Sequence, residues 1–177
     1  METRYIGKPI RRNEDARLLT GRALFVDDVH LPGMLHAAFA RSDFAHGRLL
    51  SIDVEAAREH PGVVAVYTAE DLGDYWQPGP LLLPAPPIDG AVFRPRMQVP
   101  LAKDKVRHVG EPLAIVIAES RYVAEDAAEE IFADIDPLPA VVDLEAALTP
   151  DAALLHDDLD SNLAAHVRQT KGDYATA

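Results

Sequence analysis

Glu111 is the acid best placed to do chemistry. It lies between Gly110 and Pro112, directly ahead of the apolar run Leu113-Ala114-Ile115-Val116-Ile117-Ala118. A carboxylate in a buried turn can have a raised pKa and act as a general acid or base. The same position also suits a structural carboxylate that accepts backbone hydrogen bonds in its own turn, or pairs with Arg107 or Arg121. The structural role is the expectation. Ser42, Asp43 and His46 hold the residue types of a nucleophilic triad, but a triad needs positioned partners and an oxyanion hole that spacing does not supply. Local turn capping by Ser42 and Asp43 accounts for them better. Asp27-Asp28-Val29-His30 invites a metal. Strand alternation would send those neighbours to opposite faces, so a solvated strand end is expected instead. The seven histidines (His30, His36, His46, His60, His108, His156 and His166) include no i, i+4 pair of the kind two helix-borne zinc ligands need. No Gly-x-Gly-x-x-Gly, Walker or Gly-x-Ser-x-Gly pattern occurs. The sequence therefore assigns this chain no catalytic, no cofactor-binding and no metal-binding residue.

Composition narrows the classes further. The 177 residues are 48% hydrophobic and 26% charged, enough for one domain with a real core. Lys plus Arg number 17 against 29 Asp plus Glu, a net charge of -12. An acidic chain without a basic block gains nothing from a phosphate backbone, so nucleic acid is not an expected partner. With no cysteine there is no disulfide, no thiolate nucleophile, and no ligand for an iron–sulfur cluster. The first residues, Met1 to Gly7, lack the apolar core of a signal peptide, and no window has the apolar length of a membrane span. No membrane association and a cytoplasmic location are the expectations.

The elements that would position these groups follow from patterning. Residues 1–20 are polar and irregular. Ala23 to Val26 reads as a strand closing on Asp27-Asp28, with a turn at Leu31-Pro32-Gly33. Met34 to Arg41, mostly apolar, predicts a strand buried on both faces. Leu49 to Val54 predicts a third strand, and Asp53 can cap a short helix over Glu55 to Glu59 that stops before Pro61-Gly62. The β-branched Val63 to Thr68 predicts a strand, with Thr68 capping the turn Ala69 to Leu72. Residues 73–96 carry six of the 14 prolines, a long loop of the kind that is either functional or disordered. Leu113 to Ala118 predicts a central strand with Ile115 and Ile117 buried on one face. Ser120 caps a helix over 121–130, in which Ala124, Ala127 and Ala128 offer a small face. Ile131 to Asp136 alternates like a strand and stops at Pro137-Leu138-Pro139. Val141-Val142 suggests an edge segment, and Leu144 to Leu148 a helix. From Pro150 the chain reads as a tail. The class expected is α+β, with a mixed sheet of about six or seven strands and packed helices. The apolar residues of the long loop (Tyr75, Trp76, Leu81, Leu82, Leu83, Val92) and of the tail (Leu154, Leu155, Leu159, Leu163) predict contact surfaces for partner chains, with both segments mobile alone. For the loop the alternative is that it folds back over its own sheet.

A series of spaced blocks carries a family resemblance. These are Asp15-Ala16, Leu19-Thr20-Gly21, Phe25-Val26-Asp27-Asp28, Leu31-Pro32-Gly33-Met34-Leu35, Arg41-Ser42, Ala45-His46 and Ile52-Asp53. They continue with Pro61-Gly62-Val63, Val66 to Asp71, Val109-Gly110-Glu111-Pro112 and Pro137 to Asp143. From about Gly7 to Asp173 the chain resembles the amino-terminal α/β-hammerhead domain in the large subunit of molybdenum hydroxylases: xanthine dehydrogenase, aldehyde oxidase and aerobic carbon monoxide dehydrogenase. That resemblance implies an oxidoreductase acting on aldehydes, N-heterocycles or carbon monoxide with water as oxygen source. It also implies molybdopterin or molybdopterin cytosine dinucleotide, 2Fe-2S clusters and FAD in the complete enzyme. The implied partners are the molybdenum-binding region of the large subunit, an iron–sulfur subunit and an FAD subunit. In the family the cofactor contacts and the catalytic glutamate lie beyond this domain, so no residue is carried over and the isolated chain is expected to be inactive, its role structural and in assembly. The implied division is an extension over 1–20, the hammerhead over 21–149, and a tail over 150–177 leading toward the molybdenum-binding region. Gly172 to Ala177 resembles the start of that connection, so a fragment, a truncated frame or a separately encoded piece is expected. The alternative is a non-enzymatic scaffold or binding module derived from the domain.

Overall fold

The computed structural model describes residues 5–80 and 87–173. Two compact units divide it, residues 1–34 and 35–177. In the first, α1 (Asp15–Leu19) is a single short helix. The strand expected at Ala23 to Val26 does not form. Leu24, Phe25 and Val26 are exposed, and a 3-10 turn covers Val26–Asp28, with the Asp28 carboxylate accepting the Phe25 N–H at 2.9 Å. A strand needs a neighbouring strand for its backbone groups, and no described strand pairs with this segment, whose Ala23 N–H goes instead to the Arg17 carbonyl.

The second unit holds the strands. β1 (His36–Arg41), β2 (Gly47–Asp53), α2 (Glu55–Glu59), β3 (Val63–Thr68), β4 (Val92–Phe93), β5 (Lys105–Val106), β6 (Pro112–Ala118), α3 (Arg121–Glu129), β7 (Phe132–Pro137) and β8 (Ala165–His166) follow in order. The α+β class holds. The strands expected in one mixed sheet are distributed as two three-stranded sheets, ordered β1-β6-β3 and β5-β2-β7, and a β4-β8 ribbon, with each described pair antiparallel.

β6 is the central strand of its sheet, as patterning predicts, but its buried face is the other one. Ala114, Val116 and Ala118 are each fully buried, whereas Ile115 and Ile117 are half-buried. The helix decides this. α3 presents Ala124 and Ala127, both at 0% exposure, and residues this small let a helix approach the sheet closely over Ala114 and Val116. The Ser120 hydroxyl starts the helix by accepting the Val123 N–H at 3.2 Å. β1 is not buried on both faces. It ends its sheet, and its burial alternates, with Ala40 alone fully buried. A second apolar cluster, Ala102, Val106 and Leu113 against Leu49, Ile52, Ala133 and Ile135, joins the two sheets. Gly47 is required where β2 meets β7, because a Cβ there would lie 2.4 Å from the Ile135 methyl.

Several local expectations change. Asp53 stands one residue ahead of the N-cap, Val54, and accepts the Glu55 N–H at 3.1 Å, so it turns the chain into α2 from just outside the helix. At the end of β3 the roles reverse: the Asp71 carboxylate accepts from both the N–H and the hydroxyl of Thr68, and these bonds, helped by Arg58, hold its pKa below the usual value. Val141-Val142 forms no strand. Pro137 and Pro139 supply no N–H, and the Pro139 carbonyl is taken by His46. The helix expected at Leu144 to Leu148 shrinks to a 3-10 turn, Ala146–Leu148, because Leu144 finds nothing to pack on and stays exposed.

The loop and tail meet each other. β4 pairs with β8, and the Arg94 N–H donates to the Ala164 carbonyl at 2.9 Å. Three basic side chains then meet three acids: Arg94 with Asp160 at 2.6 Å, Arg96 with Asp158, and Lys105 with Asp157 at 2.9 Å. Lys105 also donates to the Leu154 carbonyl, and Arg107 to that of Leu155. Leu154, Leu155, Leu159 and Leu163 are half-buried within this chain. The described part of the loop thus folds back on its own domain. Leu81, Leu82 and Leu83 lie outside the described residues.

Candidate functional site

The ionisable groups with suggestive surroundings converge on one cavity of about 770 Å³ in the second unit. Glu111 forms part of its wall at 3% exposure. The reason is the corner on which it sits. Gly110 has φ +84, a conformation that side chains with a Cβ rarely adopt, and this turns the chain sharply before β6. The corner is fastened to the end of β1 on both sides. The Gly110 N–H donates to the Ser42 carbonyl at 2.7 Å, the Ser42 N–H to the Glu111 carbonyl at 3.0 Å, and the Arg41 guanidinium to the Gly110 carbonyl at 2.8 Å. The Glu111 carboxylate accepts the Arg107 backbone N–H, with the Arg107 guanidinium at 4.0 Å and the His108 ring at 3.7 Å. The structural role expected for Glu111 is the one it has, with Arg107 and not Arg121 as the neighbour.

Arg96, Asp158, His156 and Trp76 line the same cavity. The Trp76 indole N–H donates to the Leu101 carbonyl at 2.8 Å, and the Lys103 ammonium lies 5.7 Å from the ring centre. Burial, together with the positive charges of Arg107 and Arg96, lowers the His156 pKa, so its imidazole is neutral at neutral pH. The side-chain hydrogen bond from Lys105 lowers the Asp157 pKa, and that from Arg96 lowers the pKa of Asp158. The lining residues include no serine, threonine, cysteine or lysine; the cavity's ionisable side chains are two carboxylates (Glu111, Asp158), two imidazoles (His108, His156) and two guanidiniums (Arg96, Arg107). Its guanidinium groups are occupied with carbonyls and carboxylates of the chain itself.

The other candidates separate. The Ser42 hydroxyl donates to the Phe44 carbonyl at 3.1 Å and accepts its N–H at 3.0 Å, which is turn capping. His46 is buried, and its Nδ1 donates to the Pro139 carbonyl at 2.7 Å, tying the end of β7 to the start of β2. Neither bond links serine to histidine. Asp27, Asp28 and His30 are exposed, and among the described residues no three His, Cys, Asp or Glu side chains gather as metal ligands would. Spacing marks neither Arg96 nor Asp158, and it presents His156 only as one of seven scattered histidines and Trp76 only as an apolar loop residue. They come from three separate stretches with no common spacing, and only the pairing of loop with tail brings them together.

A sequence model described as "Aldehyde oxidase and xanthine dehydrogenase, a/b hammerhead domain" matches residues 20–139. The chain belongs to this family. It is 44% identical over 154 residues to the carbon monoxide dehydrogenase large chain of Afipia carboxidovorans, covering 86% of this chain and 18% of that one. It is 43% identical over 139 residues to the nicotine 6-hydroxylase large subunit of Paenarthrobacter nicotinovorans, covering 78% and 16%. Among solved structures, quinoline 2-oxidoreductase from Pseudomonas putida 86 superposes with a TM-score of 0.78 at 43% identity, over 89% of this chain and 19% of that one. The chain therefore spans less than a fifth of these relatives. No helix among the described residues is long and apolar enough to cross a membrane.

Proposed function

We propose that this chain is the hammerhead part of the large chain of a molybdenum-dependent hydroxylase or dehydrogenase, structural and assembling in role and inactive alone. The observation that carries this reading is a pairing: more than 40% identity to two such large chains, over a span in which Glu111, Arg96 and Asp158 are engaged in holding the fold. Residues 1–20 form an extension, 21–149 the hammerhead, and 150–177 lead toward the molybdenum-binding region. The complete enzyme oxidises an aldehyde, an N-heterocycle or carbon monoxide with oxygen from water, in the cytoplasm. Molybdopterin or its cytosine dinucleotide supplies the oxidising centre there, and 2Fe-2S and FAD subunits carry the electrons. The residues present do not fit the clusters, since the chain has no cysteine. Nor do they fit the flavin or a dinucleotide, for which no phosphate-gripping glycine loop exists.

Tagging the chain in its native source and purifying it tests this reading. The expected result is recovery of a molybdenum-binding region with it, on the same polypeptide or a separate one, with molybdenum and flavin absorbance in the preparation and neither in residues 1–177 expressed alone. Stoichiometric molybdenum or a flavin band on the isolated chain would overturn it, as would purification without any such region.

A further inference from the structure

We propose that the groove beside the free edge of β1 is a strand-addition site, and that its occupant is an extended segment of the molybdenum-binding remainder of the large chain. This rests on the function proposed above and assigns the surface through which it operates. The groove has a volume of about 590 Å³, and residues 38 through 44 line it without a gap. Side chains of a strand alternate between faces, so an unbroken run of neighbours along one groove means that the strand's edge opens onto it. β1 ends its sheet, and β6 alone pairs with it. Half of its backbone donors and acceptors therefore point away from any strand partner among the described residues.

Edges left open in soluble domains are ordinarily blunted by charge, proline or a bulge. Ala37-Ala38-Phe39-Ala40 carries no charge and no proline, and the bulge comes only at Ala40/Arg41. The far wall is mixed, with Ala128 on α3 and Ala133 and Ile135 on β7 set beside the acids Glu125 and Glu129, while Arg41 and Asp43 line the near side. Three of the chain's five phenylalanines border the groove: Phe39 at 42%, Phe44 at 40% and Phe132 at 70% exposure. A free backbone edge beside apolar and acidic side chains recognises an extended peptide, the backbone giving affinity and alternate side chains giving register. Glu125 and Glu129 on the α3 wall favour a basic residue in that peptide. β1 is six residues long, room for a partner strand of about 20 Å. The source of that strand follows from length: the relatives hold more than four-fifths of a chain that the matched span does not account for.

The test uses the complex isolated from the native source. Phe44→Glu with Phe132→Glu alters two exposed groove side chains; Val142→Glu with Leu144→Glu is the control at exposed sites that do not line it. The groove pair should lower recovery of the large-chain remainder, identified by mass spectrometry, by at least about tenfold, with the control unchanged. Amides of residues 36–41 should exchange more slowly in the wild-type complex than in the free chain, a readout that needs no variant. Undiminished recovery with the groove pair, or equal exchange of 36–41 free and bound, overturns the site while leaving the proposed function standing. A wild-type purification that holds no molybdenum-binding remainder, on the same polypeptide or a separate one, overturns both. Protection of 36–41 in a homodimer overturns the assigned occupant.

Discussion

The two halves of the second unit are held by different forces. Under α3, the first sheet is closed by small apolar residues at or near zero exposure: Ala114, Val116, Ala118, Ala124 and Ala127. Across from it, the segment 154–166 is held on 92–107 by a two-residue ribbon, three ion pairs and carbonyl contacts, with Asp157, Asp158 and Asp160 66%, 67% and 81% exposed. Burial of this kind is insensitive to salt and to acid, whereas exposed charge pairs are screened and titrate. The chain thus joins a rigid platform to a strap whose attachment depends on solution conditions, and the strap runs past the cavity containing Glu111.

The largest effect should come from breaking the platform. Val116→Asp places a charge with no partner under α3 and should cost several kcal/mol, enough to abolish the cooperative melting transition of an ordinary domain. A soluble variant that melts cooperatively near the wild-type temperature would mean the buried face has been assigned wrongly.

Glu111→Ala removes the acceptor of the Arg107 N–H at the corner joining both halves. A loss of about 1–3 kcal/mol is expected in denaturant unfolding. An unchanged midpoint would show that the corner holds without its carboxylate.

Lys105→Met separates the two halves more sharply. Lys105 is 4% exposed and binds the Leu154 carbonyl and Asp157, so its loss should release 154–166 to faster hydrogen exchange and proteolysis while amides of β6 keep their protection. Equal loss of protection in both regions would make them one cooperative unit.

The smallest effect is the response to pH. His156 has a lowered pKa in the folded chain, so below the ordinary histidine value of about 6.5 the unfolded chain binds a proton that the folded one resists. Its contribution is complete above that value and is lost as pH falls through the folded value. Between pH 7.5 and 5.5 the strap should loosen slightly, and His156→Gln should flatten that decline. Asp157 and Asp158, also lowered, act in the same direction at lower pH, their contribution being lost below the usual carboxylate range. Strap exchange rates across the pH series measure both windows, and a wild-type strap that tightens on acidification would contradict the sign.

Local chemistry was enough to place much of this fold. β-branched runs gave β3 and β6, Ser120 and Asp53 marked helix starts, and the Gly-Glu-Pro corner with its spaced companion blocks identified the family. Each of these is decided by backbone preference or by capping within a few residues, which a sequence displays directly. What required the tertiary structure was the choice among partners. Whether Val116 or Ile115 faced the core depended on which side α3 lay. Ala23 to Val26 and Val141-Val142 had strand-like residues but pair with no strand among the described residues. The pairing of loop with tail, which brings Arg96, Trp76, His156 and Asp158 around Glu111, joins stretches tens of residues apart, and no spacing encodes such a meeting. The open edge of β1 is of the same kind: its six residues specify a strand, while its place at the end of the sheet is set by everything that packs around it.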